Sequence, residues 1–260
     1  MSEDYHRSDL NFFNSQLKVL KYIHFVVDLM NNNINDYHLV DYDIIFNEDE
    51  QCIREINDEL DDISLKALID VVFPNLNDYL KNIDAMTNRA ILTPKYDYVD
   101  DINSLLIEQF LGEAITYCNF DETIDKNEQA IREDFLNSFT PSGFPPHQLV
   151  LKENCLIILL RNIYPSEGLC NDRRLIYRRF SPNLIDAHIV NGHYQGKHVF
   201  FLPRIPFIPI EGEKNGFSFK RTQYPIKLSF AMTINKAQGQ TLDYIGIYFT
   251  RTCILSWSTI

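Results

Sequence analysis

The sequence predicts an α/β fold that is interrupted by a small all-β barrel and preceded by an acidic helical segment. Apolar residues alternate over Ile226–Met232, a polar stretch follows, and a second strand-like run covers Tyr244–Phe249, as in an open α/β sheet. Short β-like runs between turn residues, with no helical stretch, occupy residues 142–209 and predict the barrel. Residues 1–140 carry 29 acidic and 10 basic side chains, whereas residues 141–260 carry 7 and 14.

Composition narrows the class of protein. Apolar residues make up 45% of the 260, which is enough for a core, and no apolar run is long enough to span a membrane. The polar, acidic start of the chain is unlike a signal peptide, and the five cysteines lack any C-x-x-C pair. We therefore expect an intracellular protein with reduced thiols and no metal site. The net charge of −12 argues against nucleic acid, but the basic second part could bind phosphate or be a solvated face.

The front of the chain predicts helices around a linker. Apolar residues at helical spacing predict a helix over residues 10–30. Acidic residues without a sustained period predict a poorly ordered linker with one short strand over 35–62. A short amphipathic helix is expected over Ser64–Phe73, with Ser64 as its N-cap and an end before Pro74.

A buried strand and a helix follow. Ala90–Leu92 is predicted as a strand ended by Thr93 and Pro94, and helical spacing predicts a helix over Asp97–Phe110. Lys95 lies in the connecting loop, where it could contact phosphate or simply face water.

The polar stretch after Met232 is the candidate site. It contains hydroxyl, amide and ammonium donors and a glycine, which together can hold phosphates at the carboxyl end of a strand. The alternative is an ordinary solvent-facing loop.

One segment imitates a phosphate-binding loop. Gly192–His198 resembles G-x-x-x-x-G-K-[ST], but it is one residue short and has His198 in place of the hydroxyl that would hold Mg²⁺. Its position between β-like runs favours a hairpin loop, and we expect no ATP site in this chain.

Several motifs resemble one family. AMTINKAQGQTL resembles motif V of the PIF-type superfamily-one DNA helicases, especially those of Helitron transposons, and RAILTPKYDYVDDIN resembles the start of their second motor domain. GFPPHQL, LLRN, PSEGLCN and FLPRIPFIP are similar to the Src-homology-3-like barrel inserted into that domain. Asp172 replaces the usual glycine after Cys-Asn, and Asp tolerates the left-handed turn expected there. The similarity is weak from about residue 10 and strong over 86–249.

The resemblance implies a second RecA-like motor domain with the inserted barrel. The implied segments are an acidic helical segment and linker (1–85), the first part of the motor domain (86–147), the barrel (148–216), the rest of the motor domain with motif V (217–249) and a tail (250–260). The family continues after Phe249 with a run ending in the motif VI arginine finger, whereas this chain has TRTCILSWSTI. Codons for these eleven residues can be chosen so that the next frame spells the family sequence, which indicates a frameshift near residue 250.

The implied function is the C-terminal half of an ATP-driven 5′ to 3′ DNA helicase. The resemblance assigns Thr233, Asn235 and Lys236 to the DNA backbone, and Gln238 and Gly239 to the nucleotide cleft. The intact family uses ATP and Mg²⁺ in DNA repair, recombination and telomere maintenance. For this chain we expect no catalytic residue, cofactor or metal of its own. The expected partners are single-stranded DNA and a missing first motor domain, the expected location is nuclear, and no membrane partner is expected.

Two other hypotheses stay open. The chain could be an ATP-independent module that binds single-stranded nucleic acid, or an inactive transposon remnant. The first would use aromatic and cationic side chains of the barrel for stacking and phosphate contact. They are Tyr164, Arg173, Arg174, Tyr177, Arg178 and Arg179.

Overall fold

The computed structural model describes 15 strands and four α-helices. It describes residues 44–46, 52–55, 61–76, 79, 83–124, 136–137, 141, 143–181, 184–190, 192–199, 202–209, 219–237, 240 and 242–248. The predicted helix over 10–30 and the tail from 250 lie outside these residues. No helix in this described part is long and apolar enough to cross a membrane.

The elements follow in chain order. The strands are β1 (Ile44–Phe46), β2 (Cys52–Glu55), β3 (Arg89–Thr93), β4 (Ala114–Cys118), β5 (Phe120–Thr123), β6 (Gln148–Lys152), β7 (Leu156–Leu159), β8 (Arg174–Ser181), β9 (Leu184–Ile189), β10 (His198–Val199), β11 (Ile205–Phe207), β12 (Phe219–Gln223), β13 (Ile226–Leu228), β14 (Ala231–Thr233) and β15 (Tyr244–Ile247). The helices are α1 (Asp61–Val72), α2 (Asp84–Thr87), α3 (Tyr96–Gln109) and α4 (Ile234–Ala237), and a 3₁₀ turn covers Pro165–Glu167.

The chain forms two compact units, the first of residues 1–106 and 230–260 and the second of residues 107–229. The first unit is built on a five-stranded sheet in the order β14-β3-β15-β1-β2. In this sheet β14, β3 and β15 are parallel, whereas β1 and β2 are antiparallel to their neighbours. The carboxyl ends of three strands therefore meet at one edge of the sheet, where ligands of α/β proteins bind.

Helices cover both faces of this sheet. Helix α1 buries Leu68, Ile69, Val72 and neighbours at helical spacing, and Leu68 and Val72 approach Gly246 of β15 so closely that a Cβ there would lie 2.4 Å from Val72. The opposite face packs Leu92, Ile247 and others against Ala237 of α4. Successive strand residues point to opposite faces of a sheet. Gly246 therefore faces α1, and Ile247 faces α4.

Three predicted elements are confirmed and three details are wrong. Strands β3 and β15 and helix α3 lie where the sequence places them. Helix α1, however, begins at Asp61, so Ser64 lies within it and is not its N-cap. The segment 35–62 contains two strands where one was predicted, because β1 pairs with β15 and β2 pairs with β1.

The predicted strand over Ile226–Met232 is in fact two strands of different sheets. β13 pairs with β7 and β14 pairs with β3, with Ser229 and Phe230 between them. Phe230 is fully buried, so the apolar alternation continues although the chain changes sheets.

The second unit contains three antiparallel sheets. Their strand orders are β10-β9-β8-β7-β13, β11-β12-β5 and β4-β6. Asp172 has a φ of 64°, which confirms that it adopts the left-handed turn expected there. The short strands predicted over residues 142–209 are observed as β6 to β11. The predicted domain boundaries stay predictions.

Candidate nucleic-acid interface

Two threonines end adjacent parallel strands at the carboxyl edge of the first unit's sheet. Thr233 is the register partner of Thr93, as Met232 is of Leu92. Both threonines are buried, with exposed fractions of 6% for Thr233 and 0% for Thr93. The two side chains project from matching positions and so point to the same face of the sheet.

Neither hydroxyl has a hydrogen-bond partner within the part of the chain that the structure describes. Burying an unpaired hydroxyl costs about 1–3 kcal/mol by protein mutational measures. Such a cost is normally offset by a further group that completes the hydrogen bonding, here at the edge where ligands bind. The pair is therefore the feature of this edge that points most directly to a ligand.

Lysines follow both strands. Lys95 lies between β3 and α3, and its carbonyl accepts from the Val99 amide as the helix begins. Lys236 lies in the single turn of α4, where Asn235 is exposed and Lys236 is partly buried. Two cations thus come directly after two register-matched strand ends, which suits a polyanion.

The structure describes three of the five residues of the predicted site. Thr233, Asn235 and Lys236 lie together on the end of β14 and on α4, as one continuous segment. Gln238 and Gly239 lie outside the described residues. Beyond them the Gln240 amide donates to the Ala237 carbonyl, 3.0 Å away.

Helix α3 fixes the edge strand of this site. Asn103 donates from Nδ2 to the Ala231 carbonyl at 3.0 Å and accepts on Oδ1 from the Ala231 amide at 2.9 Å. A side-chain amide thereby takes the place of a neighbouring strand and satisfies an otherwise open edge. Sequence pattern alone does not reveal Asn103 or Thr93 as residues of this site, because their partners on β14 are distant in sequence.

At the amino edge of the same sheet, local contacts join the start of β3 to the start of β15. Asn88 donates to the Asp243 carboxylate at 2.7 Å, and its carbonyl accepts from the Asp243 and Tyr244 amides. The Arg89 guanidinium lies 3.8 Å from the centre of the Tyr244 ring and donates to the Val72 carbonyl. These contacts position strands and leave the carboxyl edge as the candidate interface.

Two of the six side chains suggested as a nucleic-acid-binding surface of the barrel are buried, so the hypothesis is wrong for them. Tyr177 and Arg174 are 1% and 0% exposed, so neither can stack on a base or meet a phosphate at the surface. The Tyr177 hydroxyl bonds to that of Tyr117, and desolvation by burial raises the pKa of both phenols. The Arg174 guanidinium donates to the Ser229 carbonyl at 3.1 Å, and burial lowers its pKa to about 10.

The segment that imitates a phosphate loop is a hairpin loop, as predicted. It connects β9 and β10, which are antiparallel. The amides of Gln195, Gly196 and Lys197 donate to carbonyls of the same hairpin. Lys197 pairs with Glu167 at 3.3 Å. The groups that would hold a phosphate are therefore already engaged.

A buried ion pair lies inside the second unit. Asp121 on β5 and Arg221 on β12 are register partners with fully buried side chains, and Arg221 Nη2 lies 2.8 Å from Asp121 Oδ2. Arg221 also donates to the Pro145 and Leu136 carbonyls, and Asn119 donates to Asp121. Because its members satisfy one another, this cluster links strands and loops.

Known proteins similar to this chain are DNA helicases. The family model "DNA helicase Pif1, 2B domain" matches residues 134–180. The ATP-dependent DNA helicase PIF1 of Xenopus laevis is 27% identical over 168 residues, which is 65% of this chain and 24% of that protein. The chain thus spans about a quarter of the curated relative that it matches.

Solved structures of Pif1 helicases are also similar to it. Unliganded Pif1 from Bacteroides sp is 22% identical, with 60% of this chain and 44% of that one covered and a TM-score of 0.41. Pif1 helicase from Candida albicans is 18% identical, with 75% and 50% covered and a TM-score of 0.43. The chain is thus similar to PIF-type helicases over part of its length.

Proposed function

We propose that this chain is the part of a PIF-type helicase that holds single-stranded DNA at the carboxyl edge of its parallel strands. Thr233, Asn235 and Lys236 contact the strand's backbone, and Thr93 contributes the second hydroxyl. The carrying observation is the register pairing of two buried threonines whose hydroxyls lack partners in the described residues.

Local charge supports a polyanionic ligand. Lys95 and Lys236 follow the two strand ends, although the unit that contains them, residues 1–106 and 230–260, carries more acidic than basic side chains. A backbone contact through hydroxyl, amide and ammonium groups carries no base selectivity, because each of these groups is matched by phosphate oxygen. This chemistry suits a motor that must move along any sequence.

The proposed architecture follows the family. The first unit is the second RecA-like motor domain, and the second unit includes the inserted Src-homology-3-like barrel. Within that arrangement Gln238 and Gly239 face the nucleotide cleft and link the DNA contact to nucleotide state. The 2B-domain match at residues 134–180 and the parallel β14-β3-β15 core support the assignment.

ATP chemistry in this proposal needs residues beyond these 260. The chain contains no G-x-x-x-x-G-K-[ST] loop, and phosphoryl transfer needs such a cradle together with Mg²⁺. The Xenopus relative is an ATP-dependent helicase by name. We expect the chain alone not to hydrolyse ATP, and DNA-stimulated hydrolysis above a buffer control would refute this.

The DNA contact is tested by fluorescence anisotropy with labelled single-stranded DNA over a salt series. We expect binding that weakens with salt, and a clear loss in Lys95→Ala/Lys236→Ala, because these cations follow the two strand ends. Lys66→Ala is the control, since Lys66 is an exposed lysine in the middle of α1 and does not follow either strand end. Equal effects of the double variant and the control would refute the proposed interface.

A further inference from the structure

Three metal-binding side chains meet on the hairpin of the second unit. Asp186 and His188 lie on β9, and His198 begins β10. His188 and His198 are register partners. Asp186 is two residues before His188 and therefore points to the same face of the sheet. One ligand atom from each of the three side chains lies within 4.8 Å of the other two.

The strand pairing brings the two imidazoles close together. The Ile189 amide donates to the Lys197 carbonyl next to this pair, so His188 and His198 stand opposite each other between ladder bonds. Side chains of an antiparallel sheet are closest at such positions. The Nε2 atoms of the two rings are neighbours; a shared metal ion, at about 2.0–2.1 Å from each nitrogen, would move the rings apart.

A carboxylate lies beside one of the rings. His198 Nδ1 lies 3.2 Å from Asp186 Oδ1, but the contact lacks hydrogen-bond geometry, since Asp186 Oδ1 has no hydrogen-bond partner among the described residues. Asp186 therefore contributes a negative charge next to the rings, as the outer carboxylates of metal sites do.

We infer that His188 and His198 bind a divalent transition-metal cation, Zn²⁺ being the best match, through their imidazole nitrogens, with the Asp186 carboxylate beside them. Imidazole nitrogen suits Zn²⁺, Cu²⁺ and Ni²⁺. The His198 side chain is 40% exposed, and His188 is partly exposed, so solvent reaches both rings. Water would complete the coordination, as in sites that keep an open position.

The surrounding charges do not block the site. Arg178 is the cation that acts on His188, but its guanidinium donates to Asn154 Oδ1 at 2.6 Å. Asp186 supplies the compensating negative charge. The site is independent of the proposed DNA contact, which lies on β14 and α4.

The test is a Zn²⁺ titration of the full chain, free of any histidine tag and stripped of metal with a chelator. His188→Asn and His198→Asn should each weaken binding about 100-fold or more, because loss of an outer partner alone costs about 10–100-fold. Asp186→Asn should weaken it within that smaller range. His193→Asn is the matched control, since His193 is an exposed histidine of the same hairpin loop, and should bind like the wild type.

Three checks make the result decisive. Each variant must keep the metal-free melting temperature of the wild type, and His198→Gln replaces His198→Asn if the latter does not. With one equivalent of Cu²⁺, the electron paramagnetic resonance spectrum should show nitrogen ligands that disappear in His188→Asn. No saturable Zn²⁺ binding, or binding that His188→Asn and His198→Asn leave unchanged, would overturn the inference and leave only an Asp186–His198 ion pair.

Discussion

Two of the buried polar clusters in the described part of the chain differ in whether their hydrogen-bond partners are present. In the second unit, the Asp121 carboxylate and the Arg221 guanidinium bond to each other, and Arg221 also bonds to two backbone carbonyls. In the first unit, the hydroxyls of Thr93 and Thr233 are equally buried and have no partner among the described residues. Among the described residues, the first cluster has its hydrogen-bond partners and the two threonine hydroxyls do not.

The free-energy cost of burying an unpaired group explains why the two clusters should differ in role. A buried charge is tolerated only when it is paired and hydrogen-bonded, so Asp121 and Arg221 must be complete for the fold to form. A neutral hydroxyl costs far less to leave unpaired, so a protein can keep a few at a site where a ligand will bond to them. We expect the first cluster to govern stability and the second to govern binding.

Breaking the complete cluster should have the largest effect. Asp121→Ala leaves the Arg221 guanidinium buried without its counter-charge, which should lower the free energy of unfolding by about 3–5 kcal/mol. Urea denaturation followed by circular dichroism measures it. Glu122→Ala is the matched control, because Glu122 and Lys220 pair one position along the same two strands with partly exposed side chains. Its expected cost is below about 1 kcal/mol, and equal costs would contradict the comparison.

The second prediction concerns the support of the candidate site. Asn103→Ala removes the amide that bonds to both backbone groups of Ala231. Leaving these buried groups without partners should cost about 1–3 kcal/mol of stability. Ser104→Ala is the control, since the exposed Ser104 hydroxyl bonds only to the Asp100 carbonyl of its own helix. If Asn103→Ala melts like Ser104→Ala, the edge of β14 does not depend on this contact.

Local pattern predicted the elements whose signals are local. Helical spacing located α3, and the apolar run before Thr93 located β3. The left-handed turn at Asp172 followed from residue chemistry alone. The strands β1 and β2 were missed because their residues are acidic and mixed, and only pairing with the distant β15 makes them strands.

Of the two threonines of the candidate site, the sequence predicted only Thr233. Thr233 was identified because a polar stretch follows an apolar strand, but Thr93 looked like a plain strand end. Their relation is a register between strands far apart in sequence, which one sequence does not display. The roles of Thr233, Asn235 and Lys236 in DNA binding stay predictions.

The third prediction removes a hydroxyl from the incomplete cluster. Thr233→Val is nearly isosteric and deletes a buried group that has no partner in the described residues, so stability should be unchanged or higher. Affinity for single-stranded DNA should fall by about 1 kcal/mol, as for one lost neutral hydrogen bond. Melting and anisotropy on the same samples measure the two effects. A clear loss of stability without loss of affinity would show that the hydroxyl has a structural partner after all.

The last prediction concerns the charge beside that cluster. Lys236 follows Thr233 on α4 and offers a point charge that suits phosphate without selecting a base. Lys236→Ala should weaken binding to all single-stranded sequences about equally, by less than about 1 kcal/mol at moderate salt. The plot of log affinity against log salt should become shallower by about 0.7, the value for one phosphate contact on a single strand. Lys66→Ala, which removes an exposed lysine from the middle of α1, should leave the slope unchanged. A folded, DNA-binding Lys236→Ala chain with the wild-type slope would remove Lys236 from the interface.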